Sequence, residues 1–198
     1  MSSDNNEFVL DNIVSNDEAN ALEKLTTDPR FPWNYCAGTI LPDDVDENPY
    51  VVPNGGNPFQ FTHTVNLENC PYVETISPVL NAIASQFGSN LQIIKVKFNL
   101  LTRSSSSDEY HLPHTDIDEG EDCYSSIYYV NDSDGDTYLF NEFGPKESNE
   151  ITTRTHVSPE KGTLVVFDAR RFHASSSPIN NDVRIIMNVV FKVVNNEQ

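Results

Sequence analysis

The stretch SSIYYVNDSDGDTYLF, residues 125–140, decides the fold. SSIYYV (125–130) and TYLFN (137–141) are rich in the aromatic and β-branched side chains that suit a pleated, half-buried surface. Between them lies a cluster of turn formers, and Asp134-Gly135 is a hairpin signal. DSDGD also has the flavour of a calcium loop. Its Gly, however, stands fourth rather than sixth, and Phe143 stands where the closing Glu belongs, so no calcium is expected there.

The period of 2 extends outward from this stretch. IIKVKFNLL (93–101), ITTRTHV (151–157), GTLVVFD (162–168) and VRIIMNVVFKVV (183–194) each read as strands bounded by polar or Gly/Pro turns. Upstream the period becomes 3.6. Ser15-Asn16-Asp17-Glu18 is a capping box followed by Ala21, Leu22 and Leu25 on one face. A second helix carries Ile76, Leu80, Ile83 and Phe87, with Ser77 as cap, Pro78 in the first position and Gly88 at the end. Residues 30–60 are rich in Pro, Asn and Gly and read as structured loop, and the serines at 104–107 as a loop tip. Helices followed by a run of strands imply a mainly β sandwich or small barrel buttressed by helices. One domain is expected over 1–198, with a helical and loop buttress in 1–90 and the strands in 91–194.

The totals narrow the function. No apolar run approaches the roughly 20 residues of a membrane span, and MSSDNNEFVL lacks the basic start and apolar block of a secretory signal. A cytoplasmic protein without membrane contact is expected. Cys36, Cys70 and Cys123 form no CxxC pair and read as reduced thiols in or near the core. A net charge of −18 opposes nucleic-acid binding. The segment 104–145 holds no Lys or Arg, while ten acids fall within 108–136. An acidic rim there would receive a neutral or basic peptide or small molecule.

HLPHTDID (111–118) contains the triplet His114-Thr115-Asp116. With 5 His and 30 acids in the chain, chance supplies about one such triplet, so its meaning depends on partners elsewhere. On an extended segment, residues i and i+2 share a face and can reach one ion. His63, His111, His156 and His173 are candidates for a third ligand, and His173, just after GTLVVFD, sits where a barrel presents a side chain at its rim. Two His and one carboxylate make the facial triad of Fe(II) oxygenases, with three coordination positions left open. Arg184 begins the apolar run RIIMNVVF, where a buried guanidinium asks for an anion. Its fork suits a carboxylate.

The series His114-Thr115-Asp116, His173, Arg184 resembles the 2-oxoglutarate/Fe(II)-dependent dioxygenases, and most of all their prolyl-4-hydroxylase-like group. SSIYYVNDSDGDTYLF is similar to that group's strand-turn-strand, and the similarity runs over about residues 93–194. FVLDN (8–12) and the helices match its N-terminal buttress loosely. The resemblance implies a double-stranded β-helix (jelly roll, cupin-like). It also implies Fe(II) on His114, Asp116 and His173, with 2-oxoglutarate held at its far end by Arg184 and Tyr129. Hydroxylation with release of succinate and CO2 from O2 is the implied outcome, with ascorbate keeping the iron reduced. Asn99 stands near where the family often has a cosubstrate-contacting tyrosine. His111 stands where many prolyl hydroxylases have a tyrosine and is a candidate for the substrate side, and Asp134-Gly135 replaces their Gly-Gly. Asp168 is a candidate to orient a ligand or to make a turn, and Asn188 to contact cosubstrate or serve structure. Two rivals use the same residues: a cupin-like metal hydrolase, which has no need of Arg184, and a jelly-roll binding module without catalysis.

Overall fold

The computed structural model describes residues 7–40, 45, 47–87, 90–105, 109–120 and 122–194. Ten strands and two helices follow in the order β1 (Phe8–Leu10), α1 (Asn16–Thr26), β2 (Asn34–Cys36), β3 (Gln60–Thr64), α2 (Val73–Phe87), β4 (Asn90–Thr102), β5 (Cys123–Tyr129), β6 (Thr137–Phe143), β7 (Thr153–Val157), β8 (Leu164–Asp168), β9 (Arg171–Ser175) and β10 (Val183–Val194). A major sheet has the order β1-β8-β5-β10-β4-β3-β2, and a minor one the order β7-β6-β9. The architecture is a jelly roll with helices on one face, as the sequence implied. No helix among the described residues is long and apolar enough to cross a membrane.

The major sheet is covered on both faces, which explains why β5 and most of β10 read as continuous buried runs. One face takes Val96, Phe98, Tyr128, Met187 and Phe191 under Leu22, Ile76, Val79 and Ile83 of the helices. The other takes Ile127, Tyr129, Val165, Phe167 and Ile186 against Leu139 of the minor sheet. Tyr128 and Tyr129, adjacent in sequence, therefore serve two different cores.

Several local expectations need correction. The 125–140 stretch is not a hairpin: β5 pairs with β8 and β10, while β6 pairs with β7 and β9. The Asp134-Gly135 turn instead carries the chain from one sheet to the other. Asp134 accepts hydrogen bonds from the Ile179, Asn180 and Asn181 amides, so its carboxylate fastens the loop before β10. A Cβ on Gly135 would stand 2.5 Å from the Ser176 carbonyl oxygen, which only glycine allows. The 30–60 region supplies the edge strand β2 and the start of its neighbour β3, both too short to show a period.

Helix α1 has its capping box, but Ala19, Leu22 and Thr26 are its buried face and Ala21 is exposed. Helix α2 begins at Val73, so Pro78 is internal and Ser77 is not its cap. Pro78 has no N–H for the Glu74 carbonyl, and the Ser77 hydroxyl donates to that oxygen instead. The expected stop at Gly88, and the serines 106–107, lie outside the described residues.

The Tyr128 hydroxyl is buried without a hydrogen-bond partner among the described residues. Burial, reinforced by Glu18, pushes its pKa up to about 12. The folded pKa is raised above an unfolded value near ~10, so its stabilising share is intact below pH ~10 and is lost as pH rises toward ~12. Tyr128→Phe is expected to stabilise the chain by about 1 kcal/mol and to flatten that alkaline loss. Melting curves between neutral and alkaline pH check this, and a clear fall in melting temperature at pH 7 would show that the hydroxyl has a partner.

Candidate active site

Residues 111–118 are not a regular strand; they form isolated bridges, one of them antiparallel between His114 and His173. The His114 amide donates to the His173 carbonyl at 3.0 Å and the His173 amide to the His114 carbonyl at 2.9 Å. This reciprocal pair sets the two side chains side by side, with ring centroids 4.6 Å apart. The Asp116 amide donates to the Ala169 carbonyl, which fixes the third residue against the turn before β9. Thus a loop and a strand 59 positions apart are zipped together by main-chain bonds.

Each imidazole has its inner nitrogen occupied. His114 Nδ1 lies 3.1 Å from the Leu112 carbonyl oxygen and His173 Nδ1 lies 3.2 Å from that of Arg171. A carbonyl only accepts, so both rings carry their proton on Nδ1 and offer the Nε2 lone pair to the cavity. Burial disfavours the charged rings. It lowers His114 to about 3, with His173 adding to the effect, and lowers His173 as well. Both are neutral, as metal ligands must be.

Asp116 is the cavity's carboxylate, its side chain 6% exposed. Burial opposes its charge, but the Lys95 ammonium, then His173 and His114, hold it well below the usual carboxylate range. Lys95 Nζ donates to Oδ1 at 2.6 Å; Ser125 Oγ and Asn188 Nδ2 donate to Oδ2 at 2.7 and 3.0 Å. His173 Nε2 stands 3.6 Å from Oδ2. As they stand, no three His, Cys, Asp or Glu side chains among the described residues are disposed to hold an ion. The chemistry of the donor set nevertheless fits Fe(II): two neutral imidazoles presenting lone pairs beside an ionised carboxylate. Lys95 must give up its share of Asp116 for an ion to enter.

The same cavity is lined by Lys97, Asn99, Leu101, Thr137, Arg184 and Ile186. Arg184 is 2% exposed. Its Nε donates to the Gly135 carbonyl at 2.6 Å and its Nη2 to Thr137 Oγ1 at 2.7 Å. Burial lowers its pKa, with Tyr129 and Asp136 opposing the shift. No carboxylate forms an ion pair with it among the described residues. Tyr129 stands behind it rather than in the cavity lining: its hydroxyl bonds Thr137 Oγ1 at 2.8 Å and the Val157 carbonyl oxygen at 3.2 Å, and its ring centroid lies 5.7 Å from the guanidinium carbon.

The remaining candidates divide. Asn99 lines the cavity and donates to Gln60 Oε1 at 2.8 Å. Asn188 touches Asp116, and its own Oδ1 is buried without a partner among the described residues. Asp168 accepts from three nitrogens of Arg170, its amide, Nε and Nη2, and makes the turn into β9; among the described residues it bonds none of His114, Asp116 and His173. His111 sits between Ser175 Oγ and Ser177 Oγ at 3.0 and 3.1 Å. His63 bonds the Pro32 carbonyl and the Tyr72 hydroxyl, and His156 pairs with Asp136. The sequence reading missed Lys95, Lys97 and Ser125. A signal for the lysines was present: in β4, Lys95, Lys97 and Asn99 alternate with Val96 and Phe98, polar residues at period 2 inside a long central strand.

No protein-family model matches the chain, and no curated protein matches it in sequence. Solved structures do match. An oxidoreductase of the 2OG-Fe(II) oxygenase family from Burkholderia pseudomallei has a TM-score of 0.65 at 15% identity, over 96% of this chain and 86% of that one. A prolyl hydroxylase from Trichoplax adhaerens, in complex with a hypoxia inducible factor oxygen degradation domain peptide, has a TM-score of 0.60 at 15% identity, over 96% and 84%. The epimerase SnoN of nogalamycin biosynthesis, in complex with Fe3+, α-ketoglutarate and nogalamycin RO, gives 0.59 at 11% identity, over 94% and 78%. The chain has the jelly-roll fold of these oxygenases.

Proposed function

We propose that this chain is a 2-oxoglutarate- and iron(II)-dependent oxygenase that oxidises a C–H bond of its substrate, with hydroxylation as the outcome. The observation that carries this reading is Arg184: a buried guanidinium without a carboxylate partner among the described residues, lining the same cavity as His114, Asp116 and His173. An unpaired buried cation costs stability, and a bound anion offsets that cost. The fold adds support, because a neighbour of the same architecture was crystallised with Fe3+ and α-ketoglutarate.

In this reading His114, Asp116 and His173 hold the iron, and Arg184 receives the distal carboxylate of 2-oxoglutarate. Gly135 and Thr137 fix the plane of the guanidinium before the cosubstrate arrives, so little ordering remains for the moment of binding. Tyr129 steadies Thr137 and the arginine from behind. Ser125 and Asn188 hold Asp116 in orientation. The bound iron and 2-oxoglutarate together supply the oxidation, in which O2 is consumed, succinate and CO2 are released and one oxygen atom passes to the substrate. Ile127, Leu101 and Ile186 line the cavity beside these groups and limit water there.

One observation favours a second reading, a binding module without catalysis: Lys95 already neutralises Asp116. Anaerobic visible absorption separates the two. The oxygenase is expected to show a charge-transfer band that needs both Fe(II) and 2-oxoglutarate and vanishes in His114→Ala. If wild type shows no such band, the oxygenase reading fails.

A further inference from the structure

Of the charged side chains lining the cavity, three are cations, Lys95, Lys97 and Arg184, and one is an anion, Asp116. This balance is the reverse of the whole chain, whose net charge is −18. Lys95 is paired with Asp116 at 2.6 Å. Arg184 is assigned above to the distal carboxylate of the cosubstrate, and the metal would take its other carboxylate. Lys97 remains. Its ammonium forms no hydrogen bond or ion pair among the described residues. Asn188, its cross-strand neighbour in the β4–β10 register, turns its amide nitrogen to Asp116 instead.

Lys97 also stands apart from Arg184 along the sheet. Arg184 is opposite Leu101, whereas Lys97 is opposite Asn188, four residues along the strand. At about 3.3 Å per residue this places their backbones roughly 13 Å apart along the strand. The Arg184 fork is held by the Gly135 carbonyl and Thr137 Oγ1, so the carboxylate it receives is bound at that end of the cavity. Burial lowers the pKa of Lys97 and the Lys95 ammonium adds to the effect, while Asp116 opposes it only in part; a further anion would relieve the remaining cost.

We infer that Lys97 receives a carboxylate of the primary substrate, which is a molecule of little net charge. The carboxylate answers the half-buried ammonium that lines the site. Low net charge answers the acidic exterior, which would slow the approach of a polyanion. An amino-acid-like zwitterion meets both conditions. This inference rests on the oxygenase reading for its division of the cavity into cosubstrate and substrate sides.

The test uses the full chain loaded with Zn(II) and saturating 2-oxoglutarate, with propionate and propionamide as probes in saturation-transfer NMR. Propionate is expected to bind at least about 10-fold better than propionamide, and Lys97→Gln to remove that preference. Lys97→Arg, which keeps the charge, should retain it. The proposal is overturned if wild type does not bind propionate, if Lys97→Gln binds it as well as wild type does, or if Lys97→Gln weakens 2-oxoglutarate as strongly as Arg184→Met. The last result would give Lys97 to the cosubstrate. If loaded wild type does not retain 2-oxoglutarate, the oxygenase reading fails, and propionate binding to the Zn(II)-only chain still decides the role of Lys97.

Discussion

Arg184→Met is expected to weaken 2-oxoglutarate binding by about 30- to 5,000-fold, the range that follows from losing one partner of a buried charge pair, roughly 2–5 kcal/mol. The same substitution should leave the unliganded chain about as stable as wild type. Methionine removes an unpaired guanidinium from a site that is 2% exposed, which is a gain. It also strands the Gly135 carbonyl, which is a loss of about 1–3 kcal/mol. The two nearly cancel. Titration of 2-oxoglutarate into the metal-loaded chain, beside melting curves of the unliganded one, measures both halves. A variant that binds 2-oxoglutarate normally would remove Arg184 from the cosubstrate site, and the proposed function would lose its main support. A variant that binds poorly only because it has unfolded would show it in the melting curve.

Asp116→Ala should be costly in both respects. The carboxylate accepts from Lys95, Ser125 and Asn188, and all three lose their acceptor together. Lys95 keeps part of its side chain in water, 31% exposed, so its charge is relieved more cheaply than a fully buried one. A destabilisation of roughly 3 kcal/mol follows, at the low end for a broken buried pair. In a chain of this length that is a fall of about 6–12 °C in melting temperature. Mn(II), as a probe for the metal site, should bind at least about 100-fold more weakly, since loss of a direct ligand exceeds the 10–100-fold cost of losing a group that orients one. Unchanged Mn(II) affinity in a folded variant would mean that Asp116 serves only Lys95, and the module reading would then come forward.

Much of the fold was legible because its longest strands are long runs of β-branched and apolar residues, alternating in β4 and nearly continuous in β10. β4 and β10 were visible within a few residues of their ends, and Ser15-Glu18 announced α1 through a purely local exchange of hydrogen bonds. The errors lie where a distant partner overrules local chemistry. Asp134-Gly135 has hairpin residues, but its carboxylate is claimed by amides some 45 residues away, so the chain changes sheets. Pro78 has the chemistry of a helix start, but Ser77 repairs the bond that proline breaks, and the helix runs through it. β2 and the Tyr128 side chain gave no readable pattern, one for lack of length and the other because both sheet faces are buried.

Residue types and their order singled out four side chains, a His-x-Asp triplet's two ends, one later histidine and an arginine inside an apolar strand, and the structure gathers all four around one cavity. Sequence could not say what each is bonded to, because hydrogen bonds and ion pairs are set by neighbours across sheets. Only the tertiary structure shows both imidazoles proton-committed to backbone carbonyls, Arg184 without a counter-ion among the described residues, and Lys95 resting on Asp116. It also turns an acidic chain into one with a cationic cavity, since charge balance within a site depends on which few residues of the total face inward.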